Sequence, residues 1–108
     1  MDAPRWIPVA LLEDLPEDGT GVTVEVEGIP VALFREGACV HALSDTCPHA
    51  GASLGAGICQ DGEVTCPAHA MHFAVDDGRC TDGLPERVRA FPVQVDRSGR
   101  VLVGRGRG

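Results

Sequence analysis

Two short segments of the chain repeat the same combination of metal-binding residue types. The first contains Cys47 and His49, separated by one residue, and the second contains Cys66 and His69, separated by two. A proline follows each cysteine directly. Thiolate and imidazole groups bind zinc and iron well. The four residues are therefore candidates to hold a metal together.

The spacing within each pair bears on how many metal ions the four residues hold. Structural zinc sites usually separate their paired ligands by two to four residues, and Cys47 and His49 are closer than that. Such a pair chelates a single tetrahedral ion with strain, but it suits two adjacent ions, with each segment giving one ligand to each. The doubled motif favours a two-iron cluster with both cysteines on one iron and both histidines on the other. A zinc site with the same four ligands stays open as an alternative.

The residues around these ligands resemble the Rieske [2Fe–2S] family. The stretch CPHAGASLGAG, which starts at Cys47, is similar to the family's first cluster loop, and CPAHAMHFAVDDG, which starts at Cys66, is similar to the second. The residues GLP at 83–85 fall where the family has a proline-bearing loop over the cluster. The resemblance implies one [2Fe–2S] cluster with the ligands Cys47, His49, Cys66 and His69.

The ligand set and its surroundings bear on the reduction potential. Two ferric ions, two sulfides and two thiolates sum to zero charge, so an incoming electron is repelled less than by a four-thiolate cluster, and the potential lies in a band of about −150 to +300 mV. High-potential members of the family add a disulfide and two hydroxyl donors around the cluster. The corresponding positions here are Ala52, Ala68, Met71 and Phe73, and the resemblance therefore implies a potential near the low end of the band.

The elements that must position these loops are predicted to be strands. Aromatic residues are few, and valines alternate with polar residues around Val24 and again around Val95, with glycine turns between the runs; this pattern is typical of short antiparallel strands. We predict an all-β fold in which short antiparallel sheets flank an inserted, loop-rich cluster-binding subdomain at about 45–85. The 108 residues suffice for a single domain, 1–108, of the Rieske type that the resemblance implies.

Charge and hydropathy exclude several classes of function. The net charge is −7 and all nine basic residues are arginine, which disfavours nucleic-acid binding because phosphates need a basic face. The apolar run WIPVALL near the N-terminus is too short to span a bilayer, so we expect no membrane segment and a cytoplasmic protein with reduced thiols. The GRGRG tail at 104–108 is expected to be solvated.

The remaining cysteines and histidines are expected to be structural. Cys39 and Cys59 are predicted to be buried thiols, and Cys80 lies near the predicted cluster cover. His41 is predicted to be a partly exposed packing residue in a strand, and His72 a surface histidine. No second metal site with open positions, which an oxygenase needs, is recognisable.

The resemblance implies an electron carrier rather than an enzyme. The most similar members are the small ferredoxin components of bacterial aromatic-ring-hydroxylating dioxygenases, which pass single electrons from an NAD(P)H-dependent flavin reductase to the terminal oxygenase. Docking is then expected around the histidine ligands, at Ala50, Gly51, Ala70 and Pro85. Two alternatives stay open: the small subunit of an NAD(P)H nitrite reductase, paired with its large subunit, and a zinc-stabilised interaction module.

Overall fold

The computed structural model describes residues 5–47, 51–68 and 71–105, which form ten β-strands and two short 3-10 helices. The helices are Leu12–Asp14 and Leu54–Ala56. The strands are β1 (Arg5–Leu11), β2 (Val22–Val26), β3 (Ile29–Glu36), β4 (Cys39–Ser44), β5 (Ile58–Gln60), β6 (Glu63–Thr65), β7 (His72–Ala74), β8 (Ala90–Phe91), β9 (Val93–Val95) and β10 (Arg100–Arg105). The predicted all-β fold is confirmed.

The central sheet has the strand order β2-β3-β4-β8, and its pairs are antiparallel. Val24 lies opposite Val31 in the first pair, and Phe34 lies opposite His41 in the second. The predicted meander through β2, β3 and β4 is therefore confirmed.

Hydrophobic cores lie on both faces of this sheet. Because successive side chains of a strand point to opposite faces, β3 sends Ala32 and Phe34 into one core and Val31 and Leu33 into the other. All four side chains are fully buried. The core that receives Phe34 also contains Cys47 and Cys66. Side chains of β3 therefore pack in the same core as the two cysteines of the candidate metal site.

The second sheet has the order β1-β10-β9 and packs against the core that contains Val31. The apolar run WIPVALL, which the sequence pattern did not identify as a strand, forms most of β1.

The prediction that the tail at 104–108 is solvated is partly wrong, because Gly104 and Arg105 belong to β10 and Gly104 is buried. Residues 106–108 lie outside the described part. None of the helices in the described ranges is long and apolar enough to cross a membrane.

The third sheet, β5-β6-β7, lies inside the segment predicted to be rich in loops. Its three strands have three residues each. Val64 of β6 and Phe73 of β7 face each other and are fully buried. This small sheet therefore gives the 45–85 region a regular framework that the sequence pattern did not reveal.

Candidate metal centre

The first cysteine loop follows directly after β4. Cys47 is 1% exposed, its amide donates to the carbonyl of Ala52 at 2.8 Å, and its own carbonyl accepts from the amide of Gly51 at 2.8 Å. Thr46 and Ser53 form a β-bridge at the base of the loop. The loop is thus closed at its base by main-chain hydrogen bonds, with Cys47 turned into the core.

The second cysteine loop connects β6 to β7. Cys66 is fully buried, and its amide donates to the carbonyl of Met71 at 2.7 Å. The adjoining strand pair sets Thr65 opposite His72. The loop is therefore the turn of a short hairpin, with the cysteine at its first position.

The two loops are closed in the same way. In each, the cysteine amide donates to the carbonyl five residues later, Ala52 in the first loop and Met71 in the second. The repeated sequence thus corresponds to the same main-chain hydrogen bond across the ends of both loops. In each loop, the residues between the cysteine and the acceptor include the predicted histidine ligand.

The described part of the site fits the donor set of a two-iron cluster. Cys47 and Cys66 belong to one cluster of buried residues, together with Leu54 and Phe73, so two thiols from two separate loops enter the same apolar environment. The predicted ligands His49 and His69 lie outside the described residues, as do Ala50 and Ala70. Two buried thiols in one apolar core fit the two thiolate ligands that such a cluster takes on one of its irons.

A third segment packs against the second loop. The amide of Thr81 donates to the carbonyl of His72 at 2.9 Å, and the amide of His72 donates to Asp82 Oδ2 at 2.8 Å. His72 Nδ1 also lies 3.1 Å from Asp82 Oδ1. These contacts hold the start of the predicted covering loop, GLP at 83–85, against β7. Asp82 was not identified from the sequence, because nothing in the pattern pairs it with a residue ten positions earlier.

His72 lies at the surface as predicted, with a half-exposed side chain that is paired with Asp82. The main-chain amide of His72, followed by its ring, lowers the pKa of the Asp82 carboxyl. His41, predicted to be a partly exposed packing residue in a strand, lies in β4 with its Nε2 3.8 Å from Glu36 Oε1 and a side chain that is 28% exposed. That prediction is confirmed.

No side chain can donate to a cluster sulfur at the four positions that the resemblance to high-potential Rieske proteins singles out. Met71 and Phe73 are buried, Ala52 packs against the same core, and Ala68 is exposed. Their side chains carry neither a hydroxyl nor a second thiol, so these four positions add no disulfide and no hydroxyl bond.

The three other cysteines differ in environment. The prediction that Cys39 is buried is wrong: it begins β4 beside the Gly37 turn and is exposed. Cys59 is buried as predicted, and its Sγ lies 3.3 Å from Glu36 Oε1. Burial, followed by the Glu36 carboxylate, raises the pKa of Cys59 to about 12. Cys80 is buried in the same core as Cys47 and Cys66.

Exposed residues of the predicted docking surface lie on the covering loop and the first cysteine loop. Gly51 and Pro85 are exposed, as is Leu84, whose side chain is 46% exposed although large and apolar. Leu84 was not identified from the sequence as part of this surface.

Known proteins share both the sequence pattern and the fold. The family model for the Rieske [2Fe-2S] domain matches residues 5–95. The ferredoxin component of the naphthalene 1,2-dioxygenase/salicylate 5-hydroxylase systems of Ralstonia sp is 33% identical over 94 residues, which cover 85% of this chain and 88% of that protein.

Two solved structures are similar over nearly their whole length. One, from Mycobacterium tuberculosis and assigned as the small subunit of an NADH-dependent nitrite reductase, has a TM-score of 0.91 and 33% identity, and the match covers 99% of this chain and 100% of that one. The other is from the complex of reduced oxygenase and oxidized ferredoxin in carbazole 1,9a-dioxygenase, with a TM-score of 0.81, 30% identity and 95% of both chains covered.

The duplicated cysteine loops, the antiparallel sheets that carry them and the family match over most of the chain agree with one another. The chain belongs to the Rieske [2Fe-2S] domain family, and its cofactor is a [2Fe–2S] cluster.

Proposed function

We propose that Cys47, His49, Cys66 and His69 hold the [2Fe–2S] cluster and that the chain carries single electrons between protein partners. The observation that supports the proposal most is that two buried cysteines begin two loops whose ends are joined by the same main-chain hydrogen bond. Such a cluster, when bound, accepts one electron and releases it again.

The chain's own residues exclude water from the thiol side of the site. Leu54, Phe73 and Val64 are fully buried in the core that contains Cys47 and Cys66. An apolar shell of this kind lowers the local dielectric and limits solvent access, and both effects help to set the reduction potential. The protein supplies shape and electrostatics, and the chemistry belongs to its partners.

The partners proposed are a flavin-containing NAD(P)H reductase, which donates the electron, and a terminal ring-hydroxylating oxygenase, which receives it. Support comes from the ferredoxin component of Ralstonia sp and from the ferredoxin bound to its oxygenase in the carbazole 1,9a-dioxygenase complex. The net charge of −7 favours docking to basic surfaces on these partners. Such docking is expected to be transient and weakened by salt.

Single-turnover mixing tests this function directly. The reduced protein is mixed with the oxidised oxygenase component of a naphthalene dioxygenase system, and the absorbance of both clusters is followed. We expect reoxidation of the carrier with matching reduction of the oxygenase. Cys66→Ser is expected to abolish the carrier's cluster and the transfer, whereas Cys39→Ser, which changes an exposed cysteine outside the site, leaves both intact. A wild-type protein with an intact cluster that reduces no oxygenase component would contradict the assignment.

A second candidate is the small subunit of an NAD(P)H nitrite reductase. It is favoured by the TM-score of 0.91 and the almost complete coverage of the Mycobacterium tuberculosis structure. The two functions differ in the lifetime of the complex. Co-purification of tagged protein with a large sirohaem-containing subunit at high salt supports the nitrite reductase role, while salt-sensitive, transient binding to an oxygenase supports the ferredoxin role.

A further inference from the structure

Asp45 is the one charged side chain that is buried among the described residues, with 7% of its surface exposed. It lies between the end of β4 and Cys47, which is two residues later. A buried carboxylate is unfavourable unless hydrogen bonds compensate its desolvation. Its partners therefore show what the residue does.

One oxygen of Asp45 accepts hydrogen bonds from two separate parts of the chain. Asp45 Oδ1 accepts from Thr23 Oγ1 of β2 at 3.0 Å, from Ser53 Oγ at 2.9 Å and from the Gly55 amide at 2.8 Å. The latter two donors follow the first cysteine loop. Because Asp45 precedes Cys47 and two of its donors follow it, this oxygen links the chain before and after Cys47. Hydrogen bonds to an ionised carboxylate are roughly twice as strong as those between neutral groups.

The main chain of Asp45 adds to the same closure. Its carbonyl accepts from the amide of Leu54 at 2.6 Å, and its amide donates to the carbonyl of Pro30 in β3 at 3.1 Å. The loop that carries Cys47 is thereby joined at its base to the central sheet. The carboxylate completes this base with side-chain bonds that a residue without an acceptor would not make.

Gly55 has no room for a side chain beside the Asp45 carboxylate. A Cβ added at Gly55 would lie 2.1 Å from Thr23 Oγ1 and 2.9 Å from Asp45 Oδ1. The lack of a side chain at Gly55 is therefore what lets its amide reach the acceptor. Thr23, Asp45 and Gly55 therefore pack directly against one another.

We propose that Asp45 is a positioning residue that joins the two ends of the first cysteine loop before the cluster is inserted, and that its charge lowers the reduction potential. The inference rests on the proposed function. The charge effect follows because a negative charge two residues from Cys47 in the sequence makes the addition of an electron less favourable. Neither role requires Asp45 to touch the cluster.

Asp45→Asn and Asp45→Ala separate these two roles. The asparagine variant keeps an oxygen acceptor and removes the charge, while the alanine variant removes both. Asp96→Ala is the matched control, because Asp96 Oδ1 also accepts three hydrogen bonds, from the Ser98 amide and hydroxyl and the Arg100 amide, in the turn between β9 and β10. It loses a similar set of bonds away from the cysteine loops.

Iron retention against a chelator is the first measurement. Outer-shell partners of metal ligands typically contribute 10–100-fold to metal affinity, so we expect Asp45→Ala to bind iron about 10–100-fold more weakly. The asparagine variant and Asp96→Ala are expected to hold iron as the wild type does. The positioning role is overturned if Asp45→Ala retains iron as well as the wild type, or if Asp96→Ala loses as much iron as Asp45→Ala. It is also overturned if Asp45→Asn does not retain iron better than Asp45→Ala.

The potential and the metal-free protein provide independent readouts. Voltammetry of the iron-loaded Asp45→Asn variant is expected to give a more positive potential than the wild type; an unchanged or more negative potential overturns the charge effect. Hydrogen exchange of the metal-free protein is expected to show a protected Gly55 amide in wild type and in the asparagine variant, and a rapidly exchanging one in Asp45→Ala. Equal protection in all three contradicts closure before cluster insertion.

Two further results keep the inference distinct from the function on which it rests. If Asp45→Ala fails to fold, Ser53→Ala removes a single donor and is expected to give a smaller loss of iron retention in the same direction; unchanged retention overturns the positioning role. A wild-type protein that takes up no iron would contradict the proposed function itself, whereas a wild type that retains iron beside an equally retentive Asp45→Ala contradicts the role of Asp45 alone.

Discussion

His72 and Asp82 are joined twice, by a bond of 2.8 Å from the His72 amide to Asp82 Oδ2 and by a contact of 3.1 Å between His72 Nδ1 and Asp82 Oδ1. The pair ties β7, which follows the second cysteine loop, to the segment that carries Leu84 and Pro85. The exposed segment with Leu84 and Pro85 is thereby hydrogen-bonded to the strand next to Cys66.

The pair predicts an acid-side pH dependence. Hydrogen bonding lowers the pKa of Asp82, with the His72 main-chain amide as the larger cause, so its stabilisation is present above the unfolded-state pKa of about 3.9 and is lost as the pH falls through the lower folded-state pKa. The stability difference between wild type and Asp82→Asn should therefore shrink below about pH 3.9. Carbon-detected NMR titration should give a lowered pKa for Asp82 even in His72→Ala, which keeps the amide. An ordinary pKa in the wild type contradicts the pairing.

A comparison of two glycines tests the close approach of Gly78 to the main chain of Val88. Gly78 and Gly28 both have positive φ, 77° and 83°, but a Cβ at Gly78 would lie 1.8 Å from the carbonyl oxygen of Val88, whereas one at Gly28 meets nothing within 4 Å. Gly28→Ala should destabilise the fold by about 1–2 kcal/mol from backbone strain alone. Gly78→Ala should destabilise it by about 3 kcal/mol or more, because the main chain at Val88 must move. Urea unfolding measures both, and equal effects would show that the close approach is absent.

Burial of Cys59 should make the free energy of unfolding fall as the pH rises into the alkaline range. Its folded-state pKa is raised to about 12 by burial and by Glu36, above an unfolded-state value of about 8.5. The stabilisation is therefore fully present below about pH 8.5 and is lost as the pH rises towards the folded-state pKa. Urea unfolding at pH 7 and pH 10 should show that wild type loses more stability than Cys59→Ala over this range. An equal loss in the two proteins argues that the thiol titrates normally in the folded state.

Phe73→Tyr tests the expectation that the reduction potential lies near the low end of the Rieske band. Phe73 is fully buried in the core that holds Cys47 and Cys66, and it occupies the position of a hydroxyl donor in high-potential members of the family. A hydroxyl that donates to a cluster sulfur or to its cysteine ligand stabilises the reduced, more negative state. Voltammetry should show a more positive potential than in the wild type. An unchanged potential with full iron content would mean that this side chain does not reach the sulfurs.

Alternation predicted the central strands because burial on one face repeats every two residues. Val22, Val24 and Val26 follow this pattern, and they form β2 as predicted. The first strand was missed since Pro8 interrupts the apolar run; the β1–β10 register shifts between Pro8 and Ala10, and a proline is accommodated at such a position.

The short strands of the third sheet were beyond sequence reasoning for another reason. Three residues, as in β6 or β7, cannot establish a period, and long-range pairing decides their conformation. Cys39 was predicted to be buried because cysteine generally lies inside proteins. It is exposed since it lies at the start of β4, beside a turn.

Residue type and spacing singled out Cys47 and Cys66, which the fold buries in one core, whereas the carboxylates that support the loops were not identified. Asp45 binds residues 8 to 22 positions away, and Asp82 binds one 10 positions away. Aspartate is common in loops, so its sequence position carries no sign of such a partner. Only the fold brings donor and acceptor together.

Electron paramagnetic resonance of the dithionite-reduced protein distinguishes a histidine-ligated two-iron cluster from the alternatives. We expect a reddish-brown protein with two irons and two sulfides per chain, whose reduced signal has the low average g value of a histidine-ligated two-iron cluster. A colourless protein with one zinc per chain, or a reduced signal typical of four cysteine ligands, would contradict it.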